Sequence, residues 1–129
     1  MVSPKILVAD TDADFRSEIG KFLMDHNFLM YEAESITEAE DIAMRLKPDL
    51  AIIDLLASDD ESGFVLSYHL KKKYPEMPVI LVSNVASETG ISFSLNTNEE
   101  KHWLWADIIL EKASTNDQLH KEILKLLKM

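Results

Sequence analysis

Four polar residues stand at or just beyond the ends of short apolar runs. Asp10 follows Ile-Leu-Val-Ala, Asp54 follows Leu-Ala-Ile-Ile, Ser83 follows Val-Ile-Leu-Val, and Lys112 follows Ile-Ile-Leu-Glu. Asp12 lies two places after the first. If the runs are strands of one parallel sheet, their carboxyl ends meet at a single edge, where ligands of open α/β sheets sit. Two or three carboxylates, a hydroxyl and an ammonium then converge from about a hundred residues of chain, and such a gathering of acid attracts a divalent cation.

The chain has 129 residues, with 13 Lys+Arg against 23 Asp+Glu, a formal net charge of −10, 47% apolar residues and no cysteine. One globular domain over residues 1–129 follows from that length. The acid surplus repels a phosphate backbone and an anionic bilayer, so nucleic acid and membrane are excluded as partners. Without cysteine there is no disulfide, thiolate metal site or thiol nucleophile. The opening Met-Val-Ser-Pro-Lys-Ile-Leu-Val-Ala-Asp reaches an acid after four apolar residues, too few for a signal peptide or a span, and a cytoplasmic location is expected.

Strands and helices alternate along the chain. Lys5 to Ala9 reads as a strand buried on both faces. A helix follows with Phe15, Ile19, Phe22 and Leu23 on one side, Thr11 or Asp12 as N-cap, and His26 and Asn27 at its close. Phe28 to Ala33 is a second strand, then Ser35 and Glu38 form a capping box for a helix with the stripe Ala39, Ile42, Ala43 and Leu46, ended by Pro48.

Leu50 to Ile53 is a third strand ending at Asp54, an acidic loop runs from Leu55 to Ser62, and a helix spans about Gly63 to Tyr74. Val79 to Val82 is a fourth strand ending at Ser83, and Ile108 to Leu110 a fifth. Thr115 and Gln118 open a last helix with Leu119, Ile123, Leu126 and Leu127 on one face. The alternation predicts a parallel sheet with helices on both faces and right-handed crossovers. Residues 84 to 105 are 22 residues long, more than such a connection needs, and long connections tend to be functional.

Taken in order, Lys-Ile-Leu-Val-Ala-Asp at 5–10, Pro-Asp-Leu-Ala-Ile-Ile-Asp at 48–54, Pro-Val-Ile-Leu-Val-Ser at 78–83 and Ala-Asp-Ile-Ile-Leu-Glu-Lys at 106–112 resemble the response-regulator receiver domain of two-component signalling. The resemblance covers the whole chain. It implies a doubly wound five-stranded parallel sheet of order 2-1-3-4-5, the flavodoxin-like arrangement, with an enlarged segment between strands 4 and 5. It implies Asp54 as phosphoacceptor, taking a phosphoryl group from a histidine kinase or phosphotransfer protein. Moving that group onto a carboxylate among carboxylates requires a Mg²⁺ to neutralise charge and align oxygens. Asp10, Asp54 and the backbone carbonyl of Leu56 would hold the ion, which keeps several waters. Lys112 and Ser83 would hold phosphoryl oxygens.

The chain departs from that family at several positions. Receivers usually carry a second acid directly after the first; here it is Thr11, and Asp12 is the acid that could reach across. The lysine of receivers precedes a proline in a cis peptide, whereas Ala113 follows Lys112, and a cis bond without proline costs roughly 3–4 kcal/mol. Ile109 stands where receivers often have Tyr or Phe coupled to the switch hydroxyl. By the same resemblance, Leu56 and Val85 stand at the positions that in receivers influence water attack on the acyl phosphate; both are apolar, so slow self-dephosphorylation is expected.

Structural roles compete with these readings. Asp12 suits an N-cap, and Lys112 taken alone is an ordinary solvated lysine. Asp59, Asp60 and Glu61 read as a solvated loop. His26, His69, His102 and His120 share no ligand spacing and read as surface residues. Trp103 and Trp105, two apart, cover the core or form a patch for a partner.

Three functions fit. The first is a stand-alone phosphorylatable receiver acting as no enzyme beyond its own phosphoryl chemistry; with no output domain after Met129, it would signal by contact with another protein, and a homodimer is allowed. The second is a degenerate receiver that binds partners without phosphorylation. The third is a haloacid-dehalogenase-like phosphatase, suggested by Asp10-Thr11-Asp12, but after Lys112 only Asp117 and Glu122 remain to supply its later acidic pair, both inside a predicted helix.

Overall fold

The computed structural model describes residues 3–54, 63–83, 107–111 and 116–128. Strands β1 (Lys5–Ala9), β2 (Leu29–Ala33), β3 (Leu50–Asp54), β4 (Val79–Ser83) and β5 (Ile108–Glu111) form one sheet. Its order is β2-β1-β3-β4-β5, with every neighbouring pair parallel. Helices α1 (Ala13–Asp25), α2 (Ile36–Arg45), α3 (Gly63–Lys73) and α4 (Asn116–Leu126) lie on the two faces. The doubly wound architecture read from the sequence is present.

Alternation along the strands divides the core into two layers. Leu7, Ala9, Ala51, Ile53, Val79 and Leu81 pack with Ala39 and Ala43 of α2 and Leu66 and Leu70 of α3. Ile6, Val8, Leu50, Ile52, Ile80 and Val82 pack with Phe15, Ile19, Phe22 and Leu23 of α1 and Leu119 and Ile123 of α4. Strands covered on both sides cannot show a polar face, which explains why β1, β3 and β4 read as unbroken apolar runs.

Helix ends follow local chemistry. Asp12 is the N-cap of α1, its carboxylate accepting from Asp14 N at 3.0 Å and Phe15 N at 3.3 Å. At the other end Asn27 is left-handed, with φ 62°. Asn27 N bonds Met24 O at 3.0 Å and Phe28 N bonds Leu23 O at 2.8 Å, the pairing that closes a helix over such a residue. The Ser35 box forms: Glu38 N donates to Ser35 Oγ at 3.1 Å, and the Glu38 carboxylate returns to the backbone N–H of Glu34 at 3.3 Å, one residue before the cap.

Two expectations are corrected. Leu46 does not complete the buried stripe of α2; it is the C-cap in extended conformation, 42% exposed, because the helix stops one residue earlier. His69 and His120 are half-buried helix contacts, not free surface residues. His69 meets Glu40 between α3 and α2, and His120 stacks on Phe22 at 3.7 Å between α4 and α1. Leu56, Val85, Lys112, Ala113, Thr115, residues 84–105 with His102, Trp103 and Trp105, and the Asp59-Asp60-Glu61 run lie outside the described residues, as does the Lys112–Ala113 peptide bond.

Candidate functional site

Strand register sets the heights at which the polar residues leave the sheet. Ala9 is opposite Ile53, so Asp10 and Asp54 are the next residues on adjacent strands. Parallel neighbours are about 4.8 Å apart. Asp10 N still donates to Ala33 O at 3.1 Å, which extends the β1–β2 ladder by one rung and fixes the Asp10 backbone to the sheet. Asp54 is opposite Val82, and Ser83, one residue further, is opposite Glu111. Lys112 would be the next residue after Glu111. The strand ends therefore bring Asp10, Asp54 and Ser83 to one edge in steps of a single residue.

Asp10 is a buried acid, 1% exposed. Its Oδ1 accepts the backbone N–H of Asp12 at 2.8 Å, which braces the turn between β1 and α1. Burial of a carboxylate is unfavourable unless charge or hydrogen bonds offset it. Asp54 is half-buried at the rim, so two like charges project from neighbouring strands. Asp12 is exposed and its carboxylate serves the helix start. Thr11, between them, is exposed.

Sequence reasoning missed Arg16. It is 8% exposed and lies beneath the Asp10 turn, with Nη1 donating to the Asp10 carbonyl. It reaches the glutamates of β2 and the turn after it, Glu32 and Glu34, at 3.4 and 3.5 Å. Its only sequence signal was a cation beside Phe15 where the apolar stripe of α1 runs.

A hard oxygen set of this kind fits Mg²⁺, which binds through one or two carboxylates and retains water. Among the described residues no group of three or more His, Asp or Glu is arranged to hold a metal by itself. Asp10 and Asp54 supply two strand-end carboxylates, the ligand type that Mg²⁺ takes alongside water. An open groove of about 430 Å³, lined by Lys47, Pro48, Tyr74 and Pro78 among others, lies at the opposite end of the sheet, away from these acids.

Comparison with known proteins bears on the whole arrangement. The sequence profile of the response regulator receiver domain matches residues 6–124. A putative response regulator, NtrX-like, from Rickettsia bellii (strain RML369-C) is 32% identical over 89 residues, 67% of this chain; that stretch is 19% of the relative, so the chain spans about a fifth of its length. Similar solved structures include a CheY-like receiver domain protein from Methanospirillum hungatei JF-1, with TM-score 0.81, 20% identity, 98% of this chain and 95% of that one. The non-phosphorylated HemR receiver domain from Leptospira biflexa gives 0.80 at 20% identity, covering 98% and 96%. NtrX from Brucella abortus, solved with ADP, gives 0.79 at 24% identity, covering 98% of this chain and 27% of that one. Among the described residues no helix is long and apolar enough to cross a membrane.

Proposed function

The chain belongs to the response regulator receiver domain family of two-component signalling, and from that premise we propose that Asp54 is its phosphoacceptor. The observation that carries the reading is the register: the half-buried Asp54 ends β3 level with the buried Asp10 on β1, and Ser83 ends β4 one step beyond. A carboxylate oxygen of Asp54 forms the new O–P bond while the P–N bond of a phosphohistidine donor breaks. The leaving imidazole keeps the electron pair and takes a proton.

Asp10, Asp54 and the carbonyl of Leu56 would hold Mg²⁺, with Asp12 beside them through water. The ion supplies charge neutralisation for an in-line transfer. Ser83 donates a hydrogen bond to a phosphoryl oxygen after transfer, and Lys112 binds another as a point charge. The donor is a histidine kinase or phosphotransfer protein, the setting is the cytoplasm, and the signal leaves by contact with a downstream protein. The apolar Leu56 and Val85 slow water attack, so Leu56→Asn should shorten the phosphorylated lifetime.

The test is intact-mass measurement after incubation with acetyl phosphate and Mg²⁺, with Asp54→Asn and a chelator as controls. The expected result is one added phosphoryl group on the parent and none on either control. No addition from acetyl phosphate or from a cognate kinase would replace this reading with a phosphorylation-independent interaction module. That second reading is favoured by one observation: Thr11 is exposed and uncharged, and the Asp12 carboxylate is engaged in capping α1.

A further inference from the structure

Arginine is almost never buried unless paired, yet Arg16 sits in the first turn of α1 with its side chain 9% exposed. Its contacts explain the burial. Nη1 donates to the backbone carbonyl of Asp10, and Nη2 lies 3.5 Å from Glu34 Oε1. Nε lies 3.4 Å from Glu32 Oε1, an ion-pair distance without hydrogen-bond geometry. One planar fork thus joins the turn after β1 to strand β2 and to the turn after β2, which a lysine's single ammonium cannot reproduce.

The turn is held from its other side as well. Asp12 N donates to Asp10 Oδ1 at 2.8 Å, the Asp12 side chain caps the helix, and Arg16 N donates to Asp12 O at 3.1 Å. The Asp10 carboxylate is therefore fixed by Asp12, and the Asp10 carbonyl by the arginine one turn along the same helix. Neither end of the Asp10–Thr11–Asp12 segment can shift without breaking a bond made by α1.

Charge matters in the same place. A lone guanidinium next to Asp10 would oppose a divalent cation bound there. Glu32 and Glu34, with side chains 57% and 75% exposed, supply two negative charges against it while remaining hydrated.

We propose that Arg16 is a positioning residue for the cation site: it clamps the Asp10 turn to β2 and presents the Asp10 carboxylate, and Glu32 and Glu34 cancel its charge so that the cation is not repelled. This inference rests on Asp10 being a Mg²⁺ ligand, as proposed above. Outer partners of metal ligands commonly change affinity by 10–100-fold.

The experiment uses the full chain and three measurements: Mg²⁺ affinity by calorimetry, thermal midpoint in EDTA, and hydrogen exchange of the Asp12 amide. Arg16→Lys should weaken Mg²⁺ roughly tenfold and speed Asp12 exchange, with the midpoint lowered by no more than a few degrees. Glu32→Gln/Glu34→Gln keeps the bond to the Asp10 carbonyl; it should weaken Mg²⁺ while Asp12 exchange stays as in the parent, and it carries the test if Arg16→Lys fails to fold. Parent-like Mg²⁺ affinity in both variants, at any midpoint, overturns the inference and leaves the phosphoacceptor reading intact. A parent that neither binds Mg²⁺ nor takes up a phosphoryl group overturns both.

Discussion

Acids occupy both ends of the sheet and do different work at each. At the amino end Asp49 Oδ2 accepts the backbone N–H of Lys5 at 2.7 Å, and Asp107 Oδ2 accepts both Val79 N at 2.8 Å and Lys71 Nζ at 2.7 Å. These carboxylates fasten strand starts to one another. At the carboxyl end Asp10 is buried and Asp54 half-buried on adjacent strands, with like charges facing the same edge. These four acids thus fall into two kinds: staples at the amino end, where each carboxylate fastens a strand start, and a pair at the carboxyl end, where two carboxylates stand on neighbouring strands. The difference predicts opposite responses to removal of charge.

The largest effect belongs to Asp107. Asp107→Ala leaves the Lys71 ammonium, on a side chain 14% exposed, and the first N–H of β4 without their acceptor. The expected cost is about 2–3 kcal/mol, below the figure for a fully buried pair because Asp107 is a third exposed. Thermal denaturation in EDTA should show a midpoint lowered by roughly 10 °C, with Mg²⁺ affinity unchanged. A shift of only a degree or two would erase the distinction between the two ends.

Asp12 belongs to the site end but behaves as a staple, and its two roles separate by substitution. Asp12→Ala removes the cap of α1 and should cost about 1 kcal/mol, whereas Asn caps as well as Asp and should leave the midpoint in place. Asp12→Asn should nevertheless weaken Mg²⁺ by about two- to threefold, the effect of losing one nearby charge in a largely aqueous setting. A loss tenfold or greater in calorimetry would make Asp12 a direct ligand instead.

That Asp12 is a cap was one of two readings open in the sequence, because an acid between a buried strand and an amphipathic run fits either role. The strands were legible to within about one residue: β1 was read as Lys5 to Ala9 and forms there, and β3 and β4 each extend one residue further, onto Asp54 and Ser83. Burial on both faces leaves an apolar run with little else to interpret. The order of the strands came from resemblance, since residue patterns do not say which strands pair. Arg16 and Asp107 were illegible for one physical reason. Their partners, Glu32 and Glu34 in one case and Lys71 and Val79 in the other, are brought near only by sheet pairing and helix packing. Leu46 failed the other way: periodicity continued after the helix had ended at Arg45.

A smaller effect is expected at Asp49. Its carboxylate bond to Lys5 N is solvent-exposed, and its own N–H donates to Lys5 O at 2.7 Å independently of the side chain. Asp49→Ala should therefore cost about 0.5–1 kcal/mol, again with no change in Mg²⁺ affinity. A cost equal to that of Asp107→Ala would mean that exposure does not set the strength of a staple.

The smallest shift in stability carries the most information, because its sign is reversed. Asp10→Asn retains an oxygen that can accept Asp12 N and removes one of two like charges on adjacent strand ends. It also removes a carboxylate only 1% exposed, whose desolvation opposes folding. Against this stand the attraction of Arg16, which touches the Asp10 carbonyl and is offset by Glu32 and Glu34, and that of Lys112, proposed above for the same edge. In EDTA the midpoint should stay level or rise by a few degrees, a gain below about 1 kcal/mol. In saturating Mg²⁺ the order should invert, since a ligand that binds only the folded state stabilises the parent in proportion to the logarithm of its concentration over Kd. Thermal denaturation of both proteins with and without Mg²⁺ measures the two signs directly. If Asp10→Asn lowers the midpoint in EDTA as Asp107→Ala does, Asp10 is a structural acid like those at the amino end, and the carboxyl edge owes its shape to folding instead of to a cation.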